Sequence, residues 1–244
     1  MKANKDKSAK KRVNRLLFPN MHVYASITFL LAIIAFWPVY FSKLKEVKIS
    51  IHIHSVLAML WVAILIVQSW LARKKEFKKH KKVGKLTYII TPLLVLTTLQ
   101  LFHGFLNTDA PFNQAFGAPI MFYDFTGLVY FCVAFILGIT TYKKHIHIHA
   151  RLMVSTIMMM MFPVIGRVFL FYADFGLGPE EIFKLSLYII DAIVLLLVIF
   201  EWRRGKLYPV FPILLGFTLL QHIGFLYCHE WSWWQSFMDW YAAF

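Results

Sequence analysis

Seven apolar runs, each close to the length of a bilayer crossing and separated by short polar loops, constrain this chain more than any other feature. A helix needs about 20 mostly apolar residues, at ~1.5 Å rise each, to cross a hydrocarbon core of ~30 Å. The runs cover 21–41, 51–72, 86–106, 119–142, 152–172, 183–202 and 207–228. Backbone N–H and C=O groups find no water inside a bilayer, so each run is expected to be helical. The predicted fold is therefore all-α: a polytopic membrane bundle of seven transmembrane helices over 21–228, between a basic tail at 1–20 and an aromatic interfacial tail at 229–244. With 59% hydrophobic and 16% charged residues, the composition leaves no room for a separate soluble domain.

The formal charge of +14 raises nucleic acid as a partner, and the placement of that charge argues against it. Lys and Arg number 7 in 1–20, 8 in 73–85, 3 in 143–151 and 3 in 203–206, whereas the opposite loops hold only Lys43, Lys45 and Lys48. Alternation of this kind is the positive-inside pattern, predicting a cytoplasmic N-terminus and an external C-terminus. The basic loops then meet anionic lipid headgroups, not DNA or RNA. A multi-pass protein of a bacterial inner membrane is the expectation, and a homo-oligomer or a membrane partner is compatible with it. The first run is long and lacks a small-residue cleavage site, so it reads as a retained anchor. Cys132 and Cys228 fall at depths too different for a disulfide.

Ionisable side chains inside spans are costly and mark functional sites by default. His54, His103, Asp124, Arg167 and His222 all fall ~5–9 Å below the outer boundary at ~1.5 Å per residue. Helical phase predicts that they face inward: His54, Trp61 and Gln68 share a stripe, as do Thr97, Gln100 and His103, then Thr156, Pro163 and Arg167, then Thr218, Gln221 and His222. Lys184 and Asp191, seven apart, are placed to pair within their own helix. Gly104, Gly127, Gly166 and Gly224 lie at the same depth, either for close helix approach or to clear space for a flat cofactor.

Several chemistries fit this outer layer. Imidazoles of His54, His103 and His222 suit a haem b iron or a transition metal, with Arg167 meeting a propionate and Asp124 orienting a ligand. A proton-coupled solute carrier would instead use Asp124, Asp191, Lys184 and Arg167, with helix breaks at Pro92, Pro163 and Pro212. A non-catalytic assembly protein would use the layer only for packing, as a hydrogen-bonded network in which Asp124 pairs with Arg167. Whether the chain is an enzyme stays open at this stage.

A second group gathers at the inner face: His80, His145, His147 and His149 beside Arg73, Lys143, Lys144 and Arg151. Histidines at 145, 147 and 149 alternate with isoleucine, so on a helix they do not share a face. The plain reading is a basic collar at lipid phosphates. His80 and His103 lie 23 residues apart, ~35 Å of helix, too far for both to sit within one hydrocarbon core. The tetrapeptide Ile-His-Ile-His recurs at 51–54 and 146–149, but the similarity ends there, which reads as coincidence in place of an inverted repeat. No phosphate-binding loop, nucleophile elbow, H-E-x-x-H or paired-Cys zinc pattern occurs.

His54, then Gln68 and Arg73, then His80-Lys81-Lys82-Val83-Gly84-Lys85, then His149-Ala150-Arg151-Leu152-Met153, and finally Arg167 form a spaced set. It resembles an uncharacterised family of predicted bacterial multi-span membrane proteins, a domain of unknown function. That family carries a His-Arg-x-x-Gly-Arg-like segment and a His-x-x-Trp-Met-like one. Lysines replace arginines here and Leu152 stands for the tryptophan. The resemblance covers roughly 50–170. It implies a polytopic membrane protein, marks His54, His80 and His149 as sites, and supplies no activity. A looser likeness to membrane b-type cytochromes rests on helical histidines alone.

Overall fold

The computed structural model describes Phe18 and residues 20–244, so the basic tail expected at 1–20 otherwise lies outside the described residues. Among the described residues every regular element is helical: α1 (Met21–Phe36), α2 (Ile49–Arg73), α3 (Phe77–Gly84), α4 (Thr87–Leu106), α5 (Pro111–Thr141), α6 (Ile146–Met158), α7 (Met161–Tyr172), α8 (Pro179–Arg203), α9 (Val210–Tyr227) and α10 (Ser232–Ala243). Six stretches are long and apolar enough to cross a bilayer: Ile49–Arg73, Phe77–Leu106, Pro111–Thr141, Ile146–Tyr172, Pro179–Arg203 and Val210–Glu230. α1 is also apolar but has 16 residues, ~24 Å of helix. The chain is a multi-pass helical membrane bundle.

Prolines set where several rods begin and where one breaks. Pro111 and Pro179 open α5 and α8, at the first helical position, where a missing N–H leaves no bond unmade. Glu180 and Glu181 follow in the first turn of α8 and meet the positive end of its dipole. The crossing Ile146–Tyr172 is interrupted between α6 and α7, at Met159–Met160. Pro163 explains the break: it has no N–H for the carbonyl of Met159 and its ring crowds that oxygen.

The helices close into a ring. α4 packs on α2, α2 on α1, α1 on α7, α7 on α8, α8 on α9, α9 on α5 and α5 back on α4. The interrupted crossing ties the ring together, because α6 packs against α5 and α9 whereas α7 packs against α1 and α8. It is also the most buried of the six long crossings. Its polar residues Ser155 and Thr156 are fully buried and bond the carbonyls of Leu152 and Met153 within their own helix. Trp61 of α2 anchors one flank, edge-on to Phe131 and Phe135 of α5 at 5.0 and 5.6 Å.

The aromatic tail forms α10, folded against α4 and α5. Trp234 Nε1 donates to the Ala118 oxygen at 3.2 Å, Asn107 Nδ2 to the Ala242 oxygen at 3.0 Å, and the Tyr241 hydroxyl to the Leu99 oxygen at 2.8 Å. Burial raises the Tyr241 phenol above its ordinary pKa, so it stays a donor. Tyr241→Phe is expected to lower thermal stability in detergent by about 0.5–1.5 kcal/mol, the net worth of one hydrogen bond. An unchanged melting curve would count against this clamp.

Candidate functional site

Polar side chains in an apolar bundle converge only if their helices face each other, and here three crossings and part of a fourth do so. Asp191 lies midway along α8 and His222 lies on α9; their side chains meet with His222 Nδ1 2.8 Å from Asp191 Oδ2. Exposure is 9% for the imidazole and 15% for the carboxylate. The Tyr188 ring, one turn before Asp191, stands edge-on to the imidazole at 4.6 Å. A carboxylate accepts, so the ring proton sits on Nδ1 and leaves a lone pair on Nε2. That Nε2 is buried and has no hydrogen-bond partner among the described residues.

Tyr123 of α5 connects this pair to a second one. Its phenol is buried without a partner, and both Asp124 and Asp191 act on it electrostatically. Asp124 and Arg167 act on each other in the same way. Arg167 Nη1 donates to the Pro163 oxygen at 3.0 Å, and its guanidinium lies 4.5 Å over the Phe36 ring of α1. Gln221 Nε2 donates to the Tyr123 oxygen at 2.9 Å and to Thr126 Oγ1 at 3.1 Å, leaving its Oε1 unpartnered. Asp191 and His222 are in direct contact, whereas Tyr123, Asp124 and Arg167 act in this region only through longer-range electrostatics. The expected Asp124–Arg167 pair forms no direct hydrogen bond or ion pair among the described residues. Three buried polar atoms in the region lack partners: Tyr123 Oη, Gln221 Oε1 and His222 Nε2.

Of the five residues expected in a common layer, Asp124, Arg167 and His222 belong to this region. His54 faces Thr97 and Thr98 of α4, with Nδ1 3.5 and 3.4 Å from their hydroxyls. His103 lies beside Asn107 Nδ2 at 3.2 Å and edge-on to Tyr241 at 6.2 Å. Among the described residues no group of three or more His, Cys, Asp or Glu is arranged to hold a metal ion. The expected pairing of Lys184 with Asp191 does not form: Lys184 binds Glu180 one turn away and Asp191 binds His222. Gln100, expected to point inward, is exposed.

The glycines serve packing. A Cβ on Gly127 would meet Gln221 Nε2 at 3.4 Å, one on Gly166 would meet the Phe183 ring at 3.4 Å, and one on Gly224 would overlap the Phe122 ring. Gly104 faces open space. The room a flat cofactor would need at those three positions is filled by side chains.

At the end of the bundle that carries residues 143–151, Arg151 is not a free basic group. It forms a buried ion pair with Glu201 of α8, Nε to Oε1 at 2.5 Å, and Nη1 donates to the His147 oxygen at 2.9 Å. Its guanidinium lies 3.7 Å over the Tyr208 ring. Gly205, with φ +71, reverses the chain after α8, a backbone turn that side chains resist. The reversal lets Tyr208 N donate to Glu201 Oε2 at 3.2 Å. Glu201 and Tyr208 were missed by sequence reasoning, because a lone acid before Trp202-Arg203-Arg204 looks like an ordinary loop boundary. His147 stacks on Tyr208, and His149 turns instead toward Gly138. Neither resembles a ring of histidines on one face.

No known protein family, no curated protein and no solved structure matches this chain.

Proposed function

We propose that this chain is a seven-crossing membrane protein, N-terminus inside and C-terminus outside, whose buried acid–base region carries a proton coupled to a small polar solute. The positive-inside distribution of Lys and Arg supports the orientation. Extension of α1 through the turns to Tyr40 supports the seventh crossing. A bacterial inner membrane is part of the same proposal.

The Asp191–His222 contact carries the functional reading. With imidazole neutral, Asp124, Arg167, Asp191 and His222 sum to one negative charge. One added proton, held between His222 and Asp191, brings the region to neutrality. Uncompensated charge in a bundle interior is costly, so the region is driven to take up a single positive charge and to release it when water reaches it from the other side. The three unpartnered polar atoms mark where a polar solute or water would complete the hydrogen bonding.

The test uses purified protein in vesicles containing a pH-sensitive dye, challenged with a mixture of amino acids and small carboxylates. Solute-dependent proton entry is expected in the wild type, with at least a tenfold loss in Asp191→Asn and little change in Lys184→Gln. Proton entry equal to that of empty vesicles, or undiminished in Asp191→Asn, sinks the proposal. The rival reading, haem or a metal on His54, His103 and His222, keeps one supporting feature: a carboxylate behind His222 Nδ1 orients imidazole as metal sites do. His54 and His103 have other neighbours, so the carrier reading is preferred.

A further inference from the structure

A narrow groove runs along the flank of the bundle between α5 and α9, with a volume of about 240 Å³. Its walls extend from Tyr130 to Thr141 on α5 and from Pro209 to Ile213 on α9, and Ile148 and Leu152 of α6 lie beneath. Gly138 lets α6 come that close, since a Cβ there would overlap the end of Met153 and meet Leu152 Cβ at 3.6 Å. Contact between the Tyr130 and Phe217 rings, 4.8 Å between centroids, closes one end. From Tyr130 to Thr141 the helix rises ~16 Å, about one leaflet of a ~30 Å hydrocarbon core. Thr141 returns its hydroxyl to the Leu137 oxygen at 2.6 Å, and apart from the Tyr130 hydroxyl the remaining lining side chains are apolar. Spread over that length, the volume admits a hydrocarbon chain but not a second helix, whose diameter is ~10 Å.

The other end opens between two turns that carry lysine. Lys144 N and His145 N donate to the Thr141 oxygen at 3.1 and 2.8 Å, which keeps Lys143 and Lys144 within one turn of the groove. Lys206 precedes Pro209 by three residues. Tyr208, between them, stacks on His147 with centroids 5.6 Å apart and lies 3.7 Å from the Arg151 guanidinium, so this turn sits against the start of α6. Lys143, Lys144 and Lys206 are all exposed. Among the described residues two carboxylates belong to this end of the bundle, and both are engaged. Glu201 is buried against Arg151, and Glu76 binds Lys79 at 2.6 Å beside α3.

Shape and charge together select the occupant. A free anion has no use for an apolar slot, and a lipid without net charge gains little from three lysines at its mouth. An acidic lipid headgroup at the membrane surface is attracted by each lysine near it, and its acyl chain removes apolar wall from the gap between the helices. We propose that the groove between α5 and α9 binds one anionic phospholipid, with an acyl chain along the groove and the headgroup at Lys143, Lys144 and Lys206. The site is separate from the acid–base region and stands whether or not that region carries protons.

Dioleoylphosphatidylglycerol titrated into delipidated protein in a non-ionic detergent, read by native mass spectrometry, should give one retained lipid per chain. Dioleoylphosphatidylcholine should bind at least tenfold more weakly, and excess inorganic phosphate should not displace the bound lipid. Lys143→Gln, Lys144→Gln and Lys206→Gln combined should weaken phosphatidylglycerol binding at least tenfold. Lys78→Gln, Lys81→Gln and Lys82→Gln combined remove the same charge from α3 and should leave binding unchanged. Ile213→Trp and Val133→Trp, both at exposed positions that the fold tolerates, should each fill the groove and weaken binding of either lipid. The proposal fails if phosphatidylcholine binds as tightly as phosphatidylglycerol, or if the α3 variant loses as much as the groove variant. It fails equally if both tryptophan variants bind like the wild type, or if inorganic phosphate displaces the lipid.

Discussion

Glu201→Ala is expected to destabilise the folded bundle by about 3–5 kcal/mol, the range for removing one partner of a buried ion pair. Glu201 and Arg151 are each 3% exposed. Without the carboxylate, the Arg151 guanidinium keeps only the His147 oxygen and the Tyr208 ring, and the Tyr208 N–H loses its acceptor. A buried cation without a counter-charge is worse than no charge at all. The double variant Arg151→Met with Glu201→Leu should therefore recover most of the loss. Arg151→Lys should fall between, since ammonium keeps the charge but not the planar fork or the stacking on Tyr208. Denaturant titration in mixed micelles reads all three variants against the wild type. A single variant as stable as wild type would mean that water reaches this pair.

Gly224→Ala is expected to be the most damaging single-methyl change, at about 1–3 kcal/mol for an overpacked site. The added carbon would overlap the Phe122 ring. Phe122 cannot swing aside freely, because Trp231 and Trp234 hold it edge-on with centroids 5.3 and 5.2 Å away. α9 would have to move off α5, and Gln221, one turn earlier, would lose its bonds to Tyr123 and Thr126. The same substitution at Gly216 or Gly104, where nothing lies within 4 Å of the new carbon, provides the control. There alanine's helix preference should make it neutral or stabilising by up to ~1 kcal/mol. Phe122→Leu combined with Gly224→Ala should restore part of the loss. Equal stability for Gly224→Ala and Gly216→Ala would sink the prediction.

The crossings were legible because the bilayer imposes a length that apolar runs report directly. Run 183–202 lies inside α8, and run 152–172 ends where α7 does. Run 119–142 lies almost wholly within α5, which begins earlier, at Pro111, and continues through Pro119. Depth along a span was the only coordinate the sequence offered for Asp124, Arg167 and His222, and depth does not fix the angular order of helices around a ring. His54 and His103 share that depth and still face other neighbours. Asp191 shows the same gap: Lys184 was the best partner along its own helix, whereas its actual partner arrives 31 residues later on α9. The imidazole ties of His80 and His149 rest on backbone oxygens 12 and 11 residues upstream, and residue type says nothing about a carbonyl's direction.

The interrupted crossing has a consequence for biogenesis. α7 leans on α1, near the beginning of the described chain, and α6 leans on α5, just before it, and on α9, the last helix of the ring. During synthesis each half therefore finds one neighbour already made, α1 for α7 and α5 for α6, while the side of α6 that meets α9 stays uncovered until translation has nearly finished. Ser155 and Thr156 bridge that interval by satisfying their hydroxyls on their own backbone. The innermost strut of the finished protein is thus self-sufficient in polar bonding long before its surroundings close over it.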